Sequence, residues 1–203
     1  MSRARVEPEW AMVTILFVDI RGFTTFADQA TARDALAYLD EFFGVVVPVV
    51  QTHAGKVHQL RGDGLLAVFD VPDHADQALA AGRTMLAAID TQFGDRCRIG
   101  VGINSGLVLV GTIGAGDVVE LGVIGDPVNV ASRVQDATRD LGEPLLITQS
   151  TRLLLEGEQS ELEPRGSLSL KGKAEPVVVY GLAAGSVTVS GRPGRTTEHG
   201  CSR

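Results

Sequence analysis

The chain has 203 residues, enough for one domain with a short appendage, and 44% of them are hydrophobic against 21% charged, the balance of a globular domain with a core. Its 18 basic and 25 acidic side chains leave a net charge of −7, which argues against general binding to nucleic acid or to an anionic membrane. Two cysteines, Cys97 and Cys201, exclude a disulfide framework or a cysteine zinc site, the polar start MSRARVEPEW lacks the apolar stretch of a secretion signal, and no run reaches the roughly 18 apolar residues of a membrane span, so a soluble, reduced, cytoplasmic setting is expected.

In chain order, residues 12–19 (MVTILFVD) are apolar and β-branched and predict a short buried strand. Gly22 follows, and Thr24 or Thr25 can cap the helix after it. The helical spacing of Ala35, Leu36, Leu39, Phe42, Phe43 and Val46 predicts a helix over 32–50, with Gly55 ending the region. Strands over 56–61 and 65–70 flank Gly62-Asp63-Gly64 and read as a hairpin. An alanine-rich helix runs from Pro72 to about residue 93. Strands are expected at 98–104 and 107–113, separated by Ser105-Gly106, and a Gly-rich tip at 114–117 leads to another apolar stretch at 118–124. Asp126 as N-cap and Pro127 at the first position open a helix to about residue 141. A strand at 145–148, a short helix to 155, and strands near 168–170 and 177–182 complete the pattern. The order β-α-β-β-α-β followed by further elements predicts an α+β fold, a ferredoxin-like core with a C-terminal extension. Residues 1–11 form an N-terminal segment, 12–184 the domain, and 185–203, rich in Ser, Thr, Gly and Arg, a disordered tail. Glycine is abundant, 24 residues, mostly at the ends of apolar runs, where the chain turns or approaches a ligand.

Two acidic residues stand out. Asp19 ends the first strand and Asp63 sits in the hairpin turn, and in a ferredoxin-like core these two places are neighbours. Taken singly, Asp19 can be a helix cap and Asp63 a turn former. Together, two converging carboxylates repel unless a cation lies between them, and hard oxygen donors suit Mg²⁺ or Mn²⁺.

Residues 17–24, Phe-Val-Asp-Ile-Arg-Gly-Phe-Thr, resemble the FxDIxGFT signature of the class III nucleotidyl cyclases. Four further segments fall in that family's order: Gly62-Asp63 after a strand; Gly102-Ile103-Asn104-Ser105-Gly106, similar to G-(I/V)-H-(S/T)-G with Asn in place of His; residues 125–133, GDPVNVASR, similar to G-[DN]-x-V-N-x-A-[SA]-R; and Leu170-Lys171-Gly172. The resemblance spans about residues 12–182 and implies the cyclase catalytic fold. It implies an adenylyl cyclase that converts ATP to 3′,5′-cyclic AMP and pyrophosphate with two Mg²⁺ or Mn²⁺ ions per site. A guanylyl or relaxed-specificity cyclase acting on GTP, and a weakly active nucleotide-binding regulatory module, are the alternatives.

By the same resemblance, Asp19, Asp63 and the carbonyl of Ile20 hold the metals. Gly22, Phe23 and Thr24 open a helix whose first N–H groups meet the β- and γ-phosphates. Asn129 orients the ribose, Arg133 neutralises the pentavalent phosphorus, and Lys171 grips the terminal phosphates. The family draws its metal aspartates from one subunit and its Asn, Arg and Lys from the other, so a homodimer with two composite sites is implied. Gln59 stands where adenylyl cyclases carry the base-reading lysine, and Gly122 where its Asp or Thr partner belongs. A glutamine amide both donates and accepts and suits either purine. Leu107 replaces a phosphate-binding arginine of some members. Arg61, two residues from Gln59 on the strand, is the candidate substitute, with a dimer-interface ion pair as its alternative role.

Overall fold

A computed structural model describes residues 7–115, 118–157, 159–170, 173 and 175–183, with the side chains of all but 115 and 118–121. The elements are β1 (Glu9–Ile20), α1 (Phe23–Gln29), α2 (Ala32–Thr52), β2 (Lys56–Arg61), β3 (Gly64–Phe69), α3 (His74–Phe93), β4 (Ile99–Ala115), β5 (Val118–Ile124), α4 (Asp126–Asp140), β6 (Leu145–Thr148), α5 (Gln149–Arg152), β7 (Leu162–Leu168) and β8 (Val177–Leu182). All strands join one mixed sheet in the order β2-β3-β1-β4-β6-β8-β7, with β5 paired to β4. The first four strands have the ferredoxin-like order, and β6 to β8 extend the sheet from β4.

β1 is central and buried on both faces, which is why its sequence reads as a continuous apolar run. Successive side chains point to opposite faces. Leu16, Val18 and Ile20 join the core beneath α2 and α3, with Phe42, Val46, Ala78 and Met85. Val13, Ile15 and Phe17 join Leu66, Val68, Val108 and Ala131 beneath α4. Asp19 thus leaves a strand that is fixed on both sides.

The structure corrects several local expectations. β1 starts at Glu9, because its first residues pair with β4 from Glu9↔Val110 onward. The helical region after Gly22 is two helices, and the capping side chain is Thr31, whose Oγ1 accepts from the Asp34 N–H at 3.2 Å. Gly125, not Asp126, is the N-cap of α4. α5 ends at Arg152, and β7 is centred earlier than 168–170. No turn occurs at Ser105-Gly106. β4 is one 17-residue strand, and Gly106 serves contact instead, since a methyl there would lie 2.5 Å from Pro127 Cγ. Finally, α2 is long and apolar enough by length and composition to cross a membrane, contrary to the sequence expectation. Its Phe42, Val46 and Val50 are fully buried against the sheet.

Candidate active site

The site is built where β1 ends beside the β2–β3 turn. Asp19 pairs with Gly64 across the β1–β3 ladder, and the Ile20 N–H donates to the Asp63 carbonyl at 3.2 Å. This register brings the two carboxylates into one field. The Asp19 carboxyl is pushed up to about 6, first by burial and next by the negative charge of Asp63, with Arg139 opposing and Asp136 adding to the rise. A methyl at position 64 would lie 2.4 Å from the Val18 carbonyl oxygen and 3.0 Å from Asp19 Oδ2, so glycine keeps room for that carboxylate.

Among the described residues no group of three or more His, Cys, Asp or Glu is arranged to hold a metal. The donor set is the carboxylate pair with the backbone beside it. The negative charge of Asp63 beside the half-buried Asp19 carboxyl is relieved by a hard divalent cation, so the two carboxylates fit Mg²⁺ or Mn²⁺.

Without divalent ions, Asp19 is expected to titrate near pH 6, read from its carboxyl carbon by NMR. The folded chain then holds this proton more tightly than the unfolded chain. The stabilisation it gives is present at low pH and is lost as pH rises from about 4 to about 6. Asp63→Asn should lower the midpoint, and an ordinary carboxylate midpoint in the unsubstituted protein would overturn the electrostatic account.

Gly22 follows at φ +74° and is the N-cap of α1. This left-handed conformation suits glycine and turns the chain so that the N–H groups of Phe23 and Thr24 open the helix. Arg21, which the sequence reading did not single out, anchors this turn. Its Nε donates to the Ile99 carbonyl at 3.2 Å, and one terminal nitrogen donates to the carbonyls of Thr138, at 3.0 Å, and Glu143. The end of β1 is thereby tied to the C-terminal end of α4, where carbonyls lack intrahelical partners. In the motif FxDIxGFT Arg21 occupies a variable position, so the motif itself carried no signal for it.

α4 carries Asn129 and Arg133 four residues apart, on one face. Asn129 is exposed and Arg133 half-buried. The helix lies directly on β4, because a methyl at Gly102 would sit 2.2 Å from the Gln135 nitrogen and one at Gly100 2.3 Å from Thr138 Oγ1. A cleft of about 250 Å³ separates α4 from the end of β1, lined by Phe17, Asp19, Arg61, Ser132, Gln135 and Asp136 among others. Neither Asn129 nor Arg133 lines it. One protomer therefore does not bring its own Asn129 and Arg133 into the cleft beside Asp19.

Arg61 does line that cleft, with its guanidinium 5.9 Å from the Phe17 ring centroid. Gln59 borders a different hollow, of about 580 Å³, with Val57, Val110 and Val123. The side-chain place at Gly122 is taken by Ile113, whose Cδ1 would lie 2.1 Å from an added methyl. Val123, the neighbour of position 122 on β5, borders the same hollow as Gln59. Lys171 lies outside the described residues. The nearby Lys173 forms an ion pair with Asp126 at the start of α4.

The family model for the adenylate and guanylate cyclase catalytic domain matches residues 6–184. The chain is 32% identical over 181 residues to an uncharacterized protein of Mycobacterium tuberculosis, covering 87% of this chain and 32% of that one. It is 32% identical over 187 residues to an adenylate cyclase of Anabaena cylindrica, covering 85% of this chain and 37% of the relative. The chain spans about a third of the length of these curated relatives. Among solved structures, the adenylyl cyclase CyaB of P. aeruginosa matches with a TM-score of 0.79 and 25% identity, over 88% of this chain and 96% of that one. The guanylyl cyclase Cya2 matches with a TM-score of 0.77 and 27% identity, over 87% and 94%.

Proposed function

Since the chain belongs to the adenylate and guanylate cyclase catalytic-domain family, we propose that it converts ATP to 3′,5′-cyclic AMP and pyrophosphate at two composite sites of a homodimer. The observation that carries this reading is Asp19 at a rigid strand end just before the Gly22 turn, with Asp63 beside it in the β2–β3 turn. The adenylate cyclase relative at 32% identity supports ATP as substrate.

The reaction is attack of the ribose 3′-oxygen on the α-phosphorus with loss of pyrophosphate, and it depends on positioning and charge neutralisation. Asp19 and Asp63, with the Ile20 carbonyl, would hold two Mg²⁺ or Mn²⁺ ions. Such ions, when bound, lower the pKa of the 3′-hydroxyl and neutralise the triphosphate. The Gly22-Phe23-Thr24 turn meets the β- and γ-phosphates, and Lys171 adds a point charge. From the partner protomer, Asn129 orients the ribose and Arg133 stabilises the charge that builds on the phosphorus. The absence of Asn129 and Arg133 from the cleft around their own Asp19 supports this division of labour.

A second reading, a cyclase that accepts GTP as well, is favoured by one observation. Position 122 offers no side chain and faces Ile113, which leaves Gln59 as the sole named polar reader of the base, with an amide that suits either purine. The assay is direct: incubate the protein with ATP or GTP and Mn²⁺ or Mg²⁺ and separate the cyclic products. Cyclic AMP in excess supports the first reading, comparable yields support the second, and no cyclic product from a verified dimer overturns both. In the same assay Arg61→Ala is expected to raise the nucleotide KM about tenfold, the loss of one charge-assisted contact. An unchanged KM and kcat would return Arg61 to an interface role.

A further inference from the structure

A continuous line of hydrogen bonds crosses the core from α3 to α4. Thr14 Oγ1 lies 2.6 Å from His74 Nδ1 and 2.6 Å from Ser105 Oγ. Ser105 Oγ and Thr151 Oγ1 are 3.0 Å apart, and Thr151 Oγ1 is 3.2 Å from Thr148 Oγ1. Thr148 Oγ1 donates to Asn104 Oδ1 at 2.7 Å, and Asn104 Nδ2 donates to the Pro127 carbonyl at 3.0 Å. Thr14, Asn104, Ser105, Thr148 and Thr151 are all buried.

The directions follow from counting protons. A carbonyl only accepts, so the Asn104 amide nitrogen must face Pro127 and its oxygen must face Thr148. Each hydroxyl has one proton to give. Thr148 spends its proton on Asn104, so Thr151 donates to Thr148, Ser105 to Thr151 and Thr14 to Ser105. His74 must then carry its proton on Nδ1 and donate to Thr14. Every bond points the same way, toward α4, and such chains polarise one another.

We propose that Asn104 is a positioning residue for the catalytic helix: its amide, oriented by this chain, fixes the first turn of α4 at Pro127 and so sets the stance of Asn129 and Arg133. This rests on the cyclase reading for its functional meaning. The placement is specific, because Pro127 is two residues from Asn129 and is also the residue held by Gly106. Asp19, Asp63 and the Gly22 turn, which take the metals and the terminal phosphates in the proposed reaction, lie on other elements, so those contacts do not pass through Asn104. The identity of residue 104 follows from the need for one donor and one acceptor, which a neutral imidazole also supplies and a leucine does not.

The test compares Asn104→Leu and Asn104→His in cyclase kinetics and in amide hydrogen exchange. Asn104→Leu is expected to lower kcat about tenfold or more with nucleotide KM within about threefold. It should also speed exchange at the amides of residues 129–133 selectively, with those of β1 and α3 unchanged. Asn104→His should restore both readouts. Where Asn104→Leu fails to fold, Thr148→Val removes the proton that orients the amide, and the same selective change is expected. Wild-type kcat with wild-type exchange in α4, or faster exchange spread evenly over the whole chain, would overturn the assignment. If the unsubstituted protein makes no cyclic product, the cyclase reading fails, and the exchange measurements still decide whether Asn104 positions α4.

Discussion

Asp19→Ala and Arg133→Ala are each expected to abolish cyclic nucleotide formation, and an equal mixture of the two proteins to recover about a quarter of the unsubstituted activity. The losses follow from what each side chain does in the proposed reaction. Removing Asp19 leaves the divalent ions without their central carboxylate, a loss of several kcal/mol, or about 10³-fold in turnover. Removing Arg133 takes away charge stabilisation made in the transition state, worth about 10²- to 10³-fold in kcat with little change in KM. The recovery follows from symmetry. Random pairing makes about half of the dimers hybrid, and each hybrid holds one site with both native residues and one with neither. Ser132, Gln135 and Asp136 are what α4 presents to Asp19 within a protomer, so rescue must come from across the interface. No recovery in a mixture shown to exchange subunits would overturn the composite sites.

Gly102→Val is expected to be the most damaging single change to the fold. The added Cβ would lie 2.2 Å from the Gln135 nitrogen and 2.5 Å from its Cα, and these are backbone atoms of α4 that cannot rotate away. The helix must lift from β4, and neighbours tighten the constraint, since Gly100 and Gly106 meet Thr138 and Pro127 along the same strand. Overpacking of this kind costs about 1–3 kcal/mol or more, a fall in Tm of roughly 2–12 °C at this chain length. Cyclase turnover should fall further than stability alone explains, because the displaced helix carries Asn129 and Arg133. Gly44→Ala is the control. It sits within α2 with open space around it, so it should be neutral or stabilising by up to about 1 kcal/mol. Equal Tm values for the two variants would refute the close-contact account.

The sequence made the fold legible wherever one residue pattern had one structural meaning. β2, β6 and β8 fall where the alternation and the turn residues put them. Ser105-Gly106 shows why others did not. Within the sequence a Ser-Gly pair between apolar runs reads as a turn, and only the approach of Pro127 from a helix 20 residues later explains a glycine inside a straight strand. The glycine surplus divides the same way: Gly22 serves a left-handed turn, as the sequence suggested, whereas Gly100, Gly102 and Gly106 exist for the helix that lies on them. The candidate site was legible in its residue types, through one dense motif. Its electrostatics were not, because Asp136 and Arg139 act on Asp19 from more than a hundred residues away. Arg21 was hidden for a related reason, since its partners are backbone carbonyls that no side-chain pattern records.

The pairing of β1 with β4 has a consequence for how the protein comes to be active. The ladder runs from Ile20↔Ile99 to Glu9↔Val110, contacts separated by roughly 80 to 100 residues. Closing loops of that length precedes any reward from the pairing, and folds dominated by such contacts form slowly. During synthesis β3 is made before β4, so the edge of β1 that faces β4 waits, after β3 can pair on the other side, until β4 has been made. The feature that gives Asp19 its rigid seat is also one that leaves an apolar edge of the nascent chain exposed to aggregation.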